Sequence, residues 1–221
     1  MMRDRGDVVS LLAARRYLYA MYQSLFGTEP NPSQAAALSP SLAAEALDIV
    51  GLSSEEAEEL SAALKTFIDD PSSQVGTYNR LFIGPAALVA PPWESVYASH
   101  SDVLFNCGTL EVRNAYRSEG FLPERYPLVA DDHVALELGF MAQLGGRALG
   151  AWEMGKEAMA SSDLKVSNRF LNEHLGRWIA LWAERLRAAE PQACYATMAT
   201  SAERFTRRDD ALVREILADL A

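Results

Sequence analysis

The sequence predicts an all-α fold, a single globular helical domain of roughly ten helices over residues 1–221. Three observations carry this expectation. Apolar residues recur at helical spacing along most of the chain. No alternating pattern long enough for a useful strand occurs. The 221 residues are 49% apolar, enough for one sizeable core. There is no internal repeat and no low-complexity tract.

The elements follow in order. Val8, Leu11, Leu12, Leu18, Tyr22 and Leu25 fall on one stripe and make the first segment an amphipathic helix. Arg15-Arg16 ahead of apolar residues has the look of a twin-arginine export signal. Gln23 and Ser24 interrupt any signal-type apolar region and no small-x-small cleavage site follows, so the helix is the better reading. "GTEPNPSQ" reads as a loop, and "SPSLAAEALDIVG" as a short helix ended by Gly51. "SSEEAEELSAALKTFIDD" has Ser53 or Ser54 as cap, glutamates in the first turn, and Leu60, Leu64 and Phe67 as its stripe. "PSSQVGTYNRLF" continues as a helix that stops near Gly84-Pro85. "GTLEVRNAYRSEG" is a helix with Leu110, Val112 and Tyr116 inward and Gly120 as its stop.

After a second proline loop, "FLPERYPLVA", the segment "DDHVALELGFMAQLGG" is a helix with Leu136, Phe140 and Leu144 on one face, ended by Gly145-Gly146. "ALGAWEMGKEAMASS" is helical despite two glycines. A long helix follows, with Leu171, Leu175, Trp178, Trp182 and Leu186 in one stripe and Pro191 breaking it. Two more helices, "PQACYATMATSAERF" and "RDDALVREILADLA", close the chain. The loop over residues 84–92 separates an N-terminal helical layer (1–83) from a C-terminal one (93–221), without two independent cores.

The formal net charge is −10. This argues against a phosphate-backbone binder and is compatible with a cationic ligand, although charge alone is explained as well by solubility. Cys107 and Cys194 give neither a disulfide framework nor metal-type spacing, which points to a reducing cytoplasm. No apolar run approaches the roughly 20 residues that span a bilayer.

Chemical candidates are few. Of the three histidines, His100 sits in a loop and His174 reads as a helix-edge residue. His133 follows two acids at a helix start, where Asp131 or Asp132 can act as cap. His133 and Glu137 are four apart, but no further metal ligand stands at diagnostic spacing. No nucleotide-binding loop or nucleophile motif occurs, so no cofactor, no metal and no catalytic residue is expected.

"LFIGPAALVAPPWESVY", Leu81 to Tyr97, is apolar yet holds three prolines and a glycine, so neither a helix nor a central strand runs through it. Trp93 and Tyr97, four apart, can face the same way. The segment is either a buried loop closing the core or a rigid apolar peptide site.

"YNRLFIGPAALVAPPWESVY", Tyr78 to Tyr97, closely resembles a hallmark of the TorD/DmsD family of chaperones for exported molybdoenzymes. "DDHVALELGFMAQL", Asp131 to Leu144, resembles that family's second hallmark, an acid, Asp and His opening a helix. "ARRYLYAMYQSLFGTEP" and "FLNEHLGRWIALWAERL" also fit, in matching order. Members often carry Glu-Pro before the acid-Asp-His run, where this chain has Val129 and Ala130. The resemblance implies a cytoplasmic helical chaperone that is not an enzyme. Such a chaperone binds the twin-arginine signal peptide and the apo catalytic subunit of a molybdopterin oxidoreductase. It assists cofactor insertion and prevents premature export. Domain-swapped homodimers and weak guanine-nucleotide binding are associated with some members.

On this reading the peptide's arginines meet Asp132, with Asp131 and Glu94 or Glu137, and His133 orients the carboxylate and makes binding depend on pH near neutrality. Its apolar part meets Trp93 and Tyr97, with Phe82 or Leu88. The competing readings are a hydrolytic or nucleotide-dependent switch at Asp132/His133, and an adaptor whose loop packs its own core.

Overall fold

The computed structural model describes residues 4–84, 87–98, 107–122 and 130–219. Pro85, His100, and the proline loop from 123 to 129 with Val129 lie outside the described residues. The all-α expectation holds: the described residues form eleven α-helices around one hydrophobic core, and their only β-type pairing is an isolated bridge.

Helix α1 (Arg5–Gly27) starts on a capping box in which Asp4 and Asp7 each receive the other's backbone N–H. All six residues of its expected stripe are buried. The "GTEPNPSQ" segment is only partly a loop. Asn31 caps a short helix, α2 (Pro32–Ala37), with Pro32 in its first turn, where its missing N–H costs nothing. Helix α3 (Pro40–Ile49) ends before Gly51, whose φ of 88° a side chain would resist. Ser53 caps α4 (Ser54–Asp69) through a capping box with Glu56, and Leu60, Leu64 and Phe67 are buried.

Helix α5 (Pro71–Tyr78) runs into a π-helical turn, Asn79–Ile83, which Gly84 ends. Short α6 (Glu94–Ala98) and α7 (Cys107–Ser118) follow. In α7, Val112 and Tyr116 point inward as expected, but Leu110 is 52% exposed. The inward stripe of this 12-residue helix is narrower than three residues imply.

Three boundaries differ from expectation. Helix α8 (Val134–Glu153) passes straight through Gly145-Gly146. At Gly145 and Gly146 a Cβ would meet Arg16 of α1 at an ordinary 3.5 Å, whereas one on Gly139 would crowd Gln23 at 3.1 Å. On the other side of that contact, a Cβ on Gly27 would lie 2.8 Å from Ala135. Helix α8 accordingly makes its most extensive packing against α1. The real stop is Gly155, with φ 73°.

The expected long helix is two, α9 (Glu157–Glu173) and α10 (Leu175–Ala189), parted at His174 with φ −129° and ψ −99°. Both halves still bury the five stripe residues Leu171, Leu175, Trp178, Trp182 and Leu186. Conversely, the two closing helices are one, α11 (Cys194–Asp219).

Arg15 of the arginine pair is wholly buried. Its guanidinium bonds both Asp209 oxygens, and Tyr19 donates to the same carboxylate at 2.7 Å. Burial works against the guanidinium charge, but the adjacent Asp209 outweighs it and raises the pKa above the ordinary value. No helix among the described residues is long and apolar enough to cross a membrane.

Candidate functional site

The two segments singled out in the sequence meet. Trp93 and His133 form an antiparallel bridge: Glu94 N–H donates to the Asp132 carbonyl at 2.9 Å, and Val134 N–H to the Pro92 carbonyl at 2.8 Å. The indole of Trp93 stands edge-on to the His133 ring, centroids 5.7 Å apart. Proline explains the geometry. Pro91-Pro92 cannot continue a helix and holds the backbone extended, so one short clasp forms instead of a ladder.

Each member of the acidic run has a partner other than the one expected of it. His133, not an aspartate, caps α8, its Nδ1 accepting from Ala135 N–H at 3.1 Å. Asp132 is wholly buried and accepts from Ser95 N–H at 3.0 Å, so it caps the start of α6 across the clasp. Its other oxygen is buried without a hydrogen-bond partner. Asp131 is also buried and pairs with Arg113 of α7 at 2.7 Å, while the Tyr116 hydroxyl donates to its carbonyl at 3.0 Å.

Two glutamates complete a sealed cluster. Glu94 is 2% exposed and lies 3.2 Å from Nδ1 of His174, at the break between α9 and α10. Glu137 is wholly buried and accepts from the Trp178 indole N–H at 3.1 Å. Burial, then the negative charge of neighbouring Glu94 and of Asp132, pushes the Glu137 carboxyl well above its ordinary range. Both effects favour its protonated form. Burial also pushes His133 down to about 4, which moves its titration out of the neutral range where the sequence reading put it. An imidazole already accepting a backbone N–H gains nothing from a proton on that nitrogen.

The aromatic candidates divide. Tyr97 is buried and stacks on Trp178 at 5.5 Å, with the Arg185 guanidinium 4.8 Å above its ring. Burial raises its hydroxyl to about 12. Phe82 is a core residue: it packs against Tyr78 at 5.1 Å and Tyr195 at 5.3 Å, so it lines no open site. Trp93 and Leu88 are half-buried. The open apolar surface of this segment belongs to Ile83 and Val89, each 65% exposed.

The structure thus gathers Trp93, Glu94, Tyr97, Asp131, Asp132, His133 and Glu137, and leaves Phe82 in the core. Sequence reasoning missed His174, read as a helix-edge residue and in fact 6% exposed. The available signal was the "EHLGRW" run, in which His174 precedes Trp178 by one helical turn. Among the described residues, no group of three or more His, Cys, Asp or Glu side chains is arranged to hold a metal ion.

The model of the family described as nitrate reductase delta subunit matches residues 50–184, more than half of the chain. The chain belongs to this family. It is that of the TorD/DmsD chaperones, as the two sequence hallmarks implied. The chain is 37% identical over 82 residues to the Tat proofreading chaperone DmsD of Salmonella typhi, a match covering 37% of this chain and 39% of that protein. It is 26% identical over 167 residues to the chaperone protein TorD of Vibrio cholerae serotype O1 (strain M66-2), 74% of each chain. It is 28% identical over 122 residues to the probable Tat proofreading chaperone DmsD of Haemophilus influenzae, 55% of this chain and 53% of that one. The match to the Salmonella protein spans well under half its length. These TorD/DmsD relatives are named as chaperones, and none is named as an enzyme.

Proposed function

We propose that this protein is a cytoplasmic chaperone for a molybdopterin-dependent oxidoreductase subunit. It binds that subunit's twin-arginine signal peptide, assists cofactor insertion and prevents premature export. The observation that carries the reading is kinship with proteins named Tat proofreading chaperones and with TorD. The surface supports it. Ile83 and Val89 present apolar side chains on a proline-stiffened segment leading to Trp93, and such a backbone loses little entropy when a partner docks. The net charge of −10 attracts a cationic segment from solution. Trp93, clasped to His133, is the aromatic anchor for the peptide's apolar part.

The test is affinity capture with the full chain from lysate of the source organism, followed by sequencing of the enriched protein. The expected outcome is an oxidoreductase subunit with an arginine pair ahead of an apolar segment, and loss of capture when that segment is deleted from it. Capture that survives the deletion overturns the peptide reading.

A further inference from the structure

Residues 87–92 carry the exposed Val89 and lead to Trp93, yet they belong to no helix. Pro91 and Pro92 have no N–H to give. Among the described residues, one hydrogen bond reaches residues 87–91: the indole N–H of Trp182 donates to the Ala90 carbonyl at 3.2 Å. Ala90 is 1% exposed and Trp182 is wholly buried. Buried polar groups of this kind need a partner, and here each is the other's. The indole is also held from turning away. Phe26 meets it edge-on at 5.0 Å, and Phe82 and Trp178 flank it at 6.4 Å and 6.3 Å. The core therefore fixes where the donor points.

We infer that Trp182 is a positioning residue for the docking surface: its buried N–H, through the Ala90 carbonyl, sets the height and rigidity at which Val89 meets a partner that Trp182 itself does not touch. The inference rests on the function proposed above. The tether falls between two other fixed points. On one side Gly84 N–H closes the π-helical turn onto the Asn79 carbonyl at 2.9 Å, and on the other Val134 N–H holds the Pro92 carbonyl at 2.8 Å. The side chain that Ala90 buries is one methyl group, too little apolar area to hold the segment down alone. Without the indole N–H the Ala90 carbonyl would be buried and unpaired, and it would regain a partner only by rising to water. The segment would then sample many heights, and a docking partner would have to order it on arrival. One face of α10, with the residue before it, supports the whole approach to the clasp. Trp182 holds Ala90, Trp178 stacks on Tyr97, and His174 meets Glu94.

Trp182→Phe would remove the donor but also leave a cavity in the core. The test therefore places benzothienylalanine at position 182, which keeps the size and shape of the ring and removes only the N–H. The binding probe is a synthetic peptide with two adjacent arginines ahead of an apolar run, titrated by calorimetry. In the substituted protein, order parameters from nitrogen relaxation should fall at the amides of Leu88, Val89 and Ala90 and hold at those of Glu94 and Val134. Peptide affinity should fall about fivefold, the worth of one neutral hydrogen bond, with the loss in the entropy of binding. In the wild type the peptide should slow solvent exchange of the Trp182 indole proton several-fold. Order parameters that do not move at 88–90 overturn the tether. An equal fall at Glu94 and Val134 overturns it too, since the core as a whole would have loosened. A local fall with wild-type affinity overturns the positioning role while leaving the proposed function standing. Failure of the peptide to bind the wild-type chain defeats the proposed function itself, and the positioning role with it.

Discussion

Arg15 and Asp209 are both wholly buried and pair in a bidentate bond that Tyr19 completes. Around His174, by contrast, four buried carboxyl groups (Glu94, Asp131, Asp132 and Glu137) share two basic partners among the described residues, Arg113 and His174. In the first region each charge has its complement. In the second the acids exceed the bases, the surroundings of Glu137 favour its protonated form, and Asp132 receives a backbone N–H. The first arrangement fixes a core. The second holds two distant segments in place at a cost in stability, which a fold tolerates where it needs one specific surface rather than maximal strength.

Breaking the balanced site should have the largest effect. Asp209→Ala leaves a buried guanidinium without its anion and should destabilise by about 3–5 kcal/mol in urea unfolding. A loss under 1 kcal/mol would mean that water reaches Arg15 and that the two sites are not different in kind. Trp93→Ala should weaken peptide binding by roughly 2 kcal/mol with the fold intact. A sharp fall in melting temperature with normal binding of the surviving protein would place Trp93 in the core instead.

Glu137→Gln sharpens the comparison from the other side. Folding raises the pKa of Glu137, so above its ordinary value the folded chain holds a proton that the unfolded chain has released. Stability therefore falls as pH rises above about 4.5. Glutamine keeps an acceptor for Trp178 and removes the proton linkage. The variant should be more stable than the parent at pH 8, on the order of 1 kcal/mol, with the difference shrinking toward pH 4. Equal stability at both pH values would show that Glu137 is ionised in the fold.

The smallest effect belongs to His133. Its pKa falls from 6.5 to about 4 on folding, so the unfolded chain binds a proton first. Stability is complete above about 6.5 and is lost as pH falls toward 4. His133 is still partly exposed, so the loss should be under about 1 kcal/mol. Asn keeps a cap acceptor and does not titrate, so His133→Asn should match the parent at pH 7.5 and exceed it at pH 5. Identical pH profiles would rule the linkage out.

The same contrast explains what was legible in the sequence. Helix α4 was readable because periodicity and a local cap agree, and α1 from its periodicity alone. The stop near Gly84 was readable because that residue adopts φ 95°. Gly145-Gly146 misled because glycine inside a helix costs only about 1 kcal/mol per residue, which the packing of α8 on α1 outweighs. The break at His174 has a faint local signal, Gly176, where a Cβ would lie 2.5 Å from the Leu171 carbonyl oxygen. Neither proline nor positive-φ glycine marks it, and its contact with Glu94 comes from 80 residues away. In the site, the meeting of Trp93 with His133 was implied by the two hallmarks. The partners Arg113, Tyr116 and Trp178 were not, since each lies on a helix whose facing could be read but whose neighbours could not.

The clasp between Trp93 and His133 also sets an order of events in time. Joining residues 40 positions apart costs on the order of 3 kcal/mol in loop-closure entropy, more than two backbone hydrogen bonds return at about 1 kcal/mol each. The clasp therefore closes only after α8 and α10 have assembled the Glu94–His174 and Tyr97–Trp178 contacts that hold it. Its two amides, Glu94 and Val134, should exchange with deuterium together and ahead of the α1–α8 interface. The segment that meets a partner is then the last to arrive in folding and the first to let go.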